Sequence, residues 1–518
     1  MVFLNERTQQ RIREEEFHSL YERAVEEVKG YLGSEYPLLI GGKEMVVERK
    51  FEVRVPFDTS MKLGTFQLAG EEEVKGAIDE AWEVHRWWRD WDWRERVELA
   101  FRAAEIASAL KFRLAAQITF ENGKNRFEAV AEVDETIDYF RYYAHLLQEN
   151  RGYVREMESR LYKGEHPYSV MRPYGVWAVI SPFNFPLAIT ATMTLGAVLT
   201  GNTAVLKPSS DTPLSAFSLV KIMDEAGFPK GVVNYVTSGG ADFASFITRD
   251  PKVAGLAFTG SREVGHSLAK DFISSQPRPV VMELGGKNAV VVTAKADLKK
   301  AVEGIVRGAF GYGGQKCSAT SRVYVHRDVY GRFLDGLVKR IGEVKVGDPT
   351  VRDTFMGPLI NREAVRKFKA FVEEIRRAGG EILSGGKVIE EERSYTVEPT
   401  VAVNVPRDHW LWRRELFVPI LLVDSISSLE EGIEMANDSE YGLTAGIFSE
   451  DREEIETFFR RIEAGVIYAN RTVGSTTGAM PGVQPFGGWK HSGWTGKNAG
   501  GPYYLLSFLR EQSRTWYE

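Results

Sequence analysis

The stretch PYGVWAVISPFNFPLAITATMTLGAVLTGNTAVLKP, residues 173–208, decides how this chain folds. It carries no charge as far as Leu206, so a hydropathy window marks it as a membrane span. Its composition argues against one. Pro173, Pro182, Asn184 and Pro186 interrupt the first half, and Asn202 and several threonines dilute the second. A spanning helix needs about 20 mainly apolar residues with every backbone group satisfied internally. The stretch reads instead as short buried elements in succession. A strand, GVWAVIS (175–181), leads into a turn, SPFNFP (181–186). A helix, LAITATMTLGAVLT (187–200), stops at Gly201, and a second strand follows at TAVLKP (203–208).

The same rhythm continues outward. Thr212 is placed to cap, and Pro213 to open, a helix over LSAFSLVKIMDEAG (214–227). Strands follow at VVNYVTS (232–238), GLAFTGS (255–261) and PVVMEL (279–284). Between them lie helical segments at ASFITRD (244–250) and REVGHSLAKDF (262–272). This alternation predicts a parallel, doubly wound sheet. A second alternation starts at NAVVVT (288–293) and DLKKAVEGIVRGAFGYG (297–313). It passes through SRVYVH (321–326) and a helix at 328–342, and runs to about residue 470. The chain therefore reads as two α/β units joined near 285. Upstream, apolar spacing predicts helices over 72–91, 96–123 and 132–150, and 6–31 reads as an exposed, charged helix. TTGAMPGVQPFGGWKHSG (476–493) reads as loop, and the tail 502–518 as an edge strand.

Composition narrows the function. Of 518 residues, 43% are hydrophobic and 27% charged, which excludes a disordered tail protein and a small disulfide scaffold. Lys and Arg number 66 against 72 Asp and Glu, a net charge of −6 spread along the chain, which gives nucleic acid no electrostatic support. Cys317 is the only cysteine, so no intramolecular disulfide or cysteine-rich metal site can form. The histidines show no HExxH pair, and no metal is expected. MVFLNERTQQ lacks the apolar core of a secretory signal, so a cytoplasmic protein is expected.

Three motifs carry candidate chemistry. Gly260-Ser261-Arg262-Glu263-Val264-Gly265 follows a strand and opens a helix, where backbone N–H groups can meet a phosphate. His266 stands where an ATP-hydrolysing loop has lysine, and the motif alone also fits a plain tight turn. Gly313-Gly314-Gln315-Lys316-Cys317-Ser318 is a Gly-rich polar loop that either presents a nucleophilic thiol or holds an inert one. Lys316 would lower the thiol pKa if it pointed at the sulfur, but adjacent side chains often diverge. Glu283-Leu284-Gly285-Gly286-Lys287-Asn288 sets a carboxylate at a strand end, either in a pocket between the units or as a solvated loop acid.

Taken together, SPFNFP (181–186), KPSSDTP (207–213), FTGSREVG (258–265), MELGGKNA (282–289), GQKCSA (314–319), RELFVPI (414–420) and QPFGGWKHSG (484–493) resemble the aldehyde dehydrogenase superfamily, in its motif order. The resemblance implies a Rossmann-like cofactor domain, 1–149 and 171–285, and a catalytic domain, 286–480. A small β oligomerisation element, 150–170 and 481–518, would complete a homo-oligomer. It also implies Cys317 as nucleophile, Asn184 as oxyanion donor and Glu283 as general base. NAD or NADP would lie against Ser181, Pro182, Phe183, Lys207, Ser210, Gly260, Ser261, Leu284, Glu415 and Phe417. Many NAD-preferring relatives have an acid where Ser210 stands, so NADP stays open.

GYGGQKCSATSRVYVH (311–326), TTGAMPGVQPFGG (476–488), EAVAEVDETIDYFRYYA (128–144) and the long N-terminal region are most similar to the branch that oxidises glutamate γ-semialdehyde to glutamate. That likeness implies a substrate carboxylate held by Ser318 and the N–H groups of Gly478 and Ala479. Glu135 would face the ammonium, and Phe183 and Phe486 would wall the chain between. The alternatives are another semialdehyde or a broad range of aldehydes. A non-catalytic binding protein and a cofactor-free thiol hydrolase are the rivals from other classes. No membrane or nucleic-acid partner is expected.

Overall fold

The computed structural model describes residues 5–473 and 477–518, and two seven-stranded sheets form its centre. The first sheet has the order Val280–Glu283, Val253–Thr259, Val176–Ile180, Thr203–Lys207, Val233–Tyr235, Leu38–Ile40, Lys43–Met45. The first five are parallel neighbours, and the last two add antiparallel. The earliest of the five, Val176–Ile180, lies between Val253–Thr259 and Thr203–Lys207, so the winding reverses beside it. Such a reversal leaves a crevice beyond the carboxyl ends of the strands. Ser181–Asn184 and Gly260–Ser261 begin where those two neighbouring strands end.

Both faces of the sheet are covered, which explains the near-continuous apolar runs. Trp177, Val179, Ala204 and Leu206 join one core, while Val176, Ala178, Val205 and Leu256 join the other. The second sheet runs Glu381–Ser384, Thr400–Val403, Ile420–Ile426, Thr320–His326, Asn288–Val292, Thr444–Phe448, Val466–Ala469. It is parallel except at its first pair. Its residues divide the same way, with Val290, Val292, Val323 and Val325 on one side and Ala289, Val291 and Tyr324 on the other. The chain crosses from the first sheet to the second between Glu283 and Asn288. No helix among the described residues is long and apolar enough to cross a membrane.

Three readings need correction. Glu14–Lys29 is not simply exposed: it buries Phe17, Tyr21, Ala24, Val25 and Val28 against the helix Lys111–Asn122. Residues 96–123 form no single helix, because Trp93–Ala109 ends at Leu110 (φ −90°, ψ 5°) before Lys111–Asn122 begins. Thr212 does not cap the helix Pro213–Ala226; its hydroxyl is buried without a partner among the described residues. The buried Glu121 carboxylate accepts from Leu214 N–H (2.5 Å) and Ser215 N–H (3.0 Å) instead. The short strands between residues 34 and 67 have no counterpart in the apolar pattern; Leu38–Ile40 and Lys43–Met45 edge the first sheet. The tail does form an edge strand, Leu509–Tyr517, paired antiparallel with Glu165–Pro173, which pairs in turn with Val154–Glu156.

Candidate active site

The crevice at the reversal is shaped by which helix ends are left open. Glu132 Oε1 accepts from Leu187 N–H (2.8 Å) at the start of the helix Ala188–Leu199, and Glu121 does the same for Pro213–Ala226. At Arg262–Ile273 the N-cap Ser261 makes no side-chain capping bond and is exposed. Its N–H groups and the positive end of its dipole face the crevice. Gly260 and Gly265 permit the close packing there: an added Cβ would lie 2.6 Å from the Phe258 ring and 2.5 Å from the buried Leu284 side chain. Lys207 ends the neighbouring strand; burial pushes its pKa down to about 8, and Nζ donates to Pro208 O (2.9 Å). Ser181 Oγ is buried without a partner among the described residues, Pro182 beside it is half-buried, and Ser210 is exposed.

Across the crevice, the turn Gly311–Gly314 puts Tyr312 (φ 52°), Gly313 (φ 61°) and Gly314 (φ 68°) in the left-handed region. Tyr312 carries a Cβ there at a steric cost. The following loop is pinned on several sides. Asn288 Nδ2 donates to the carbonyls of Cys317 (2.7 Å) and Ala319 (2.8 Å), and its Oδ1 accepts from Thr444 N–H (3.0 Å). Lys316 is held in an ion pair with Glu128 (2.6 Å) and is not among the charges acting on the thiol. Burial pushes the Cys317 thiol well above its ordinary pKa, and the charges of Glu415 and Glu283 push it further.

Both carboxyls are themselves held up by burial. Glu283 ends its strand half-buried, with Oε2 accepting from Gly488 N–H (3.1 Å), which opposes the rise only in part. It is thus no solvated loop acid. Glu415 is raised to about 7, and its Oε1 accepts from Gly286 N–H (2.8 Å). Any Cβ on Gly285 would strike the Glu415 carboxylate. Asn184 is buried, and its Oδ1 accepts from Phe185 N–H (3.1 Å), which leaves Nδ2 to donate. Phe417 sits in the left-handed region (φ 59°), edge-on to Phe183 at 5.7 Å between centroids.

Glu135 is not a surface acid. Burial first, and then the Glu132 charge, raise it to about 7, and Tyr139 OH donates to its Oε1 (3.2 Å). Ser318 is buried beside the thiol, and its carbonyl accepts from Thr444 Oγ1 (3.3 Å). At Gly478 an added Cβ would lie 2.9 Å from Nη1 of Arg471, so a cation adjoins that backbone. The expectation for Ala479 needs revision, because its N–H donates to Thr477 Oγ1 (3.1 Å). Thr476, at the head of the same loop motif, lies outside the described residues. Phe486 is half-buried and pairs through its backbone with Ala499.

The sequence reading passed over Asn288, Glu128, Glu132, Lys124 and Arg471. Asn288 stood inside a quoted motif with no role. Glu128, Glu132 and Glu135 recur at intervals of four and three, which places them on one helix face. That spacing was the available signal.

A parallel sheet whose winding reverses beside an open helix N-terminus is the framework of a dinucleotide-dependent oxidoreductase. The chain belongs to the aldehyde dehydrogenase family, whose profile matches residues 44–513. It is 36% identical to the 1-pyrroline-5-carboxylate dehydrogenase of Geobacillus sp. (strain WCH70) over 500 residues, 96% of this chain and 95% of that protein. A 1-pyrroline-5-carboxylate dehydrogenase of Halalkalibacterium halodurans is 37% identical over 501 residues, with the same coverage. The crystal structure of 1-pyrroline-5-carboxylate dehydrogenase from Thermus with bound NAD superposes with a TM-score of 0.94 at 35% identity, spanning 100% of this chain and 99% of that one.

Proposed function

We propose that this chain oxidises L-glutamate γ-semialdehyde, the open form of 1-pyrroline-5-carboxylate, to L-glutamate with NAD or NADP, in proline catabolism. The observation that carries the reading is the sole thiol, Cys317, close enough to the half-buried carboxyls Glu283 and Glu415 to feel both charges. The substrate follows from the relatives' activity and from the half-buried Glu135.

The crevice residues fit the cofactor. The open terminus after Ser261 and the cradle at Gly260 suit a pyrophosphate, Lys207 a ribose, and Glu415 and Phe417 the nicotinamide ribose. Ser181, Pro182, Phe183 and Leu284 line the same crevice, and Ser210 presents no charge against a 2′-phosphate. When bound, the nicotinamide accepts the hydride. The protein supplies the rest. Cys317 releases its proton to solvent as the sulfur adds to the aldehyde carbon. Asn184 Nδ2 and the Cys317 N–H donate to the oxygen that becomes negative. Hydride loss leaves a thioester on Cys317. Glu283 takes a proton from water as the water attacks that thioester and passes it to the departing sulfur, releasing the acid and the thiol. Ser318 and the Gly478 N–H hold the far carboxylate, Glu135 faces the ammonium, and Phe183 and Phe486 enclose the chain.

In this reading 1–149 with 171–285 binds cofactor, and 286–480 carries the nucleophile. The segments 150–170 and 481–518 join copies into a homo-oligomer in the cytoplasm. Exposed Val154, Trp516 and Tyr517 on the sheet of Val154–Glu156, Glu165–Pro173 and Leu509–Tyr517, with exposed Leu161 and Tyr162 in its connecting loop, support that surface. A comparison of kcat/KM for glutamate semialdehyde, succinate semialdehyde and propanal, each with NAD and with NADP, tests the function. A preference for glutamate semialdehyde of more than about tenfold, roughly 1.4 kcal/mol, is expected. Equal values would sink the assignment.

A further inference from the structure

Lys124 and Glu132 lie fully inside the protein, 0% and 1% exposed, with Nζ and Oε2 2.5 Å apart. An ion pair this deep is weak evidence for stability, because desolvation offsets most of its attraction and apolar replacements are often neutral. Its surroundings suggest another use. Lys124 Nζ stands 3.5 Å from the centre of the Phe185 ring and 5.0 Å from that of Tyr312. Phe185 follows Asn184 and donates its N–H to the Asn184 amide. Tyr312 occupies the strained turn that leads to Cys317, and its hydroxyl is buried without a partner among the described residues.

The neighbours of the pair extend this grip. Asn122 Nδ2 donates to Phe183 O (3.3 Å), and Glu132 Oε1 accepts from Leu187 N–H (2.8 Å) and Ala188 N–H (3.3 Å). One turn earlier on the same helix, Glu128 holds Lys316. We infer that Lys124 and Glu132 are positioning residues that set the Asn184 segment against the Cys317 loop. The ammonium is held by a carboxylate on one side and by two ring faces on the other, and each ring belongs to a different loop. A shift of the ammonium moves Phe185 and Tyr312 relative to one another. With them move the amide and the sulfur that must meet one carbonyl group.

The inference rests on Cys317 and Asn184 performing the reaction. Its test is the double variant Lys124→Met/Glu132→Gln, which removes both charges while Gln keeps an acceptor for the Leu187 and Ala188 N–H groups. The expected result is a kcat lowered by about 10²-fold, the scale of a 1 Å misplacement. KM for aldehyde and cofactor should stay within about threefold, far below that loss. Alkylation of Cys317 by iodoacetamide should slow in parallel. Full kcat in the double variant, whatever its melting temperature, overturns the positioning role. If the double variant does not fold, Lys124→Arg decides, because it keeps the pair but moves the charge. Reduced kcat at an unchanged melting temperature supports the role, and full kcat overturns it. Cys317→Ala is the control: turnover in that variant would overturn the reaction scheme itself. An inactive Cys317→Ala beside a fully active double variant removes only the positioning role.

Discussion

A methyl group on Gly286 would lie 2.5 Å from the carbonyl oxygen of Cys317. The link between the two sheets and the nucleophile loop thus touch through backbone alone, with Asn288 holding the same carbonyl. No side-chain rotation relieves such a contact. Gly286→Ala should therefore displace the loop and lower kcat by about 10²-fold. It should also weaken cofactor binding, because Gly286 N–H holds Glu415. Steady-state kinetics with a cofactor titration check both effects, and a wild-type kcat would show that the loop tolerates the shift.

Glu283→Gln separates the two halves of the reaction. Acylation should survive while thioester hydrolysis slows. Rapid mixing should then show a burst approaching one NAD(P)H per Cys317, followed by slow turnover. Fast steady-state turnover with no trapped acyl-enzyme would remove Glu283 from the role of base.

Glu135 predicts a pH-dependent KM. Burial and the Glu132 charge raise its pKa to about 7, so it gains charge as pH rises through that value. Attraction for the substrate ammonium grows in the same direction, and KM for glutamate semialdehyde should fall from pH 6 to pH 8. In Glu135→Gln this dependence should flatten at a higher KM. A variant that keeps the wild-type profile would show that another group titrates.

Ser318→Ala tests the carboxylate anchor. A lost hydrogen bond to a charged group costs about 1–2 kcal/mol, or roughly 5–30-fold in kcat/KM. The loss should fall on glutamate semialdehyde and spare propanal, which has no carboxylate. Equal losses would assign Ser318 to support of the nucleophile loop alone.

Glu121 predicts how stability varies with pH. Its pKa is raised from 4.5 to about 8 by burial, against the opposing bonds of Ser215 and Leu214. Between those values the unfolded chain has released a proton that the folded chain retains. The contribution of this group to stability is therefore whole below pH 4.5 and is lost as pH rises toward 8. Glu121→Gln keeps an acceptor at the helix end and removes the titration. Chemical denaturation should show a shallower loss of stability over that window than in the wild type. Parallel pH profiles would contradict the assignment.

The uncharged run at 173–206, with its prolines and the strands and helices that follow, was enough to predict a doubly wound sheet. Period and punctuation are local properties, and both faces of this sheet are apolar. The three motifs could be placed at strand ends for the same reason. What they do there could not be read locally. Lys316 adjoins Cys317 in the chain yet pairs with Glu128, 188 residues away. Thr212 had the form of a cap, but Glu121, 93 residues earlier, takes the amides it would have held. The strands at 38–45 have no apolar alternation of their own and exist because the first sheet offers them an edge. Local pattern determines which element forms, because it depends on backbone geometry and the spacing of apolar residues. The choice of partner for a buried charge or amide is made only when elements distant in sequence pack, since burial makes an unpaired polar group costly. The tertiary structure thus decided the partners of Lys124, Asn288 and Glu283, while the sequence alone determined the framework that brings them together.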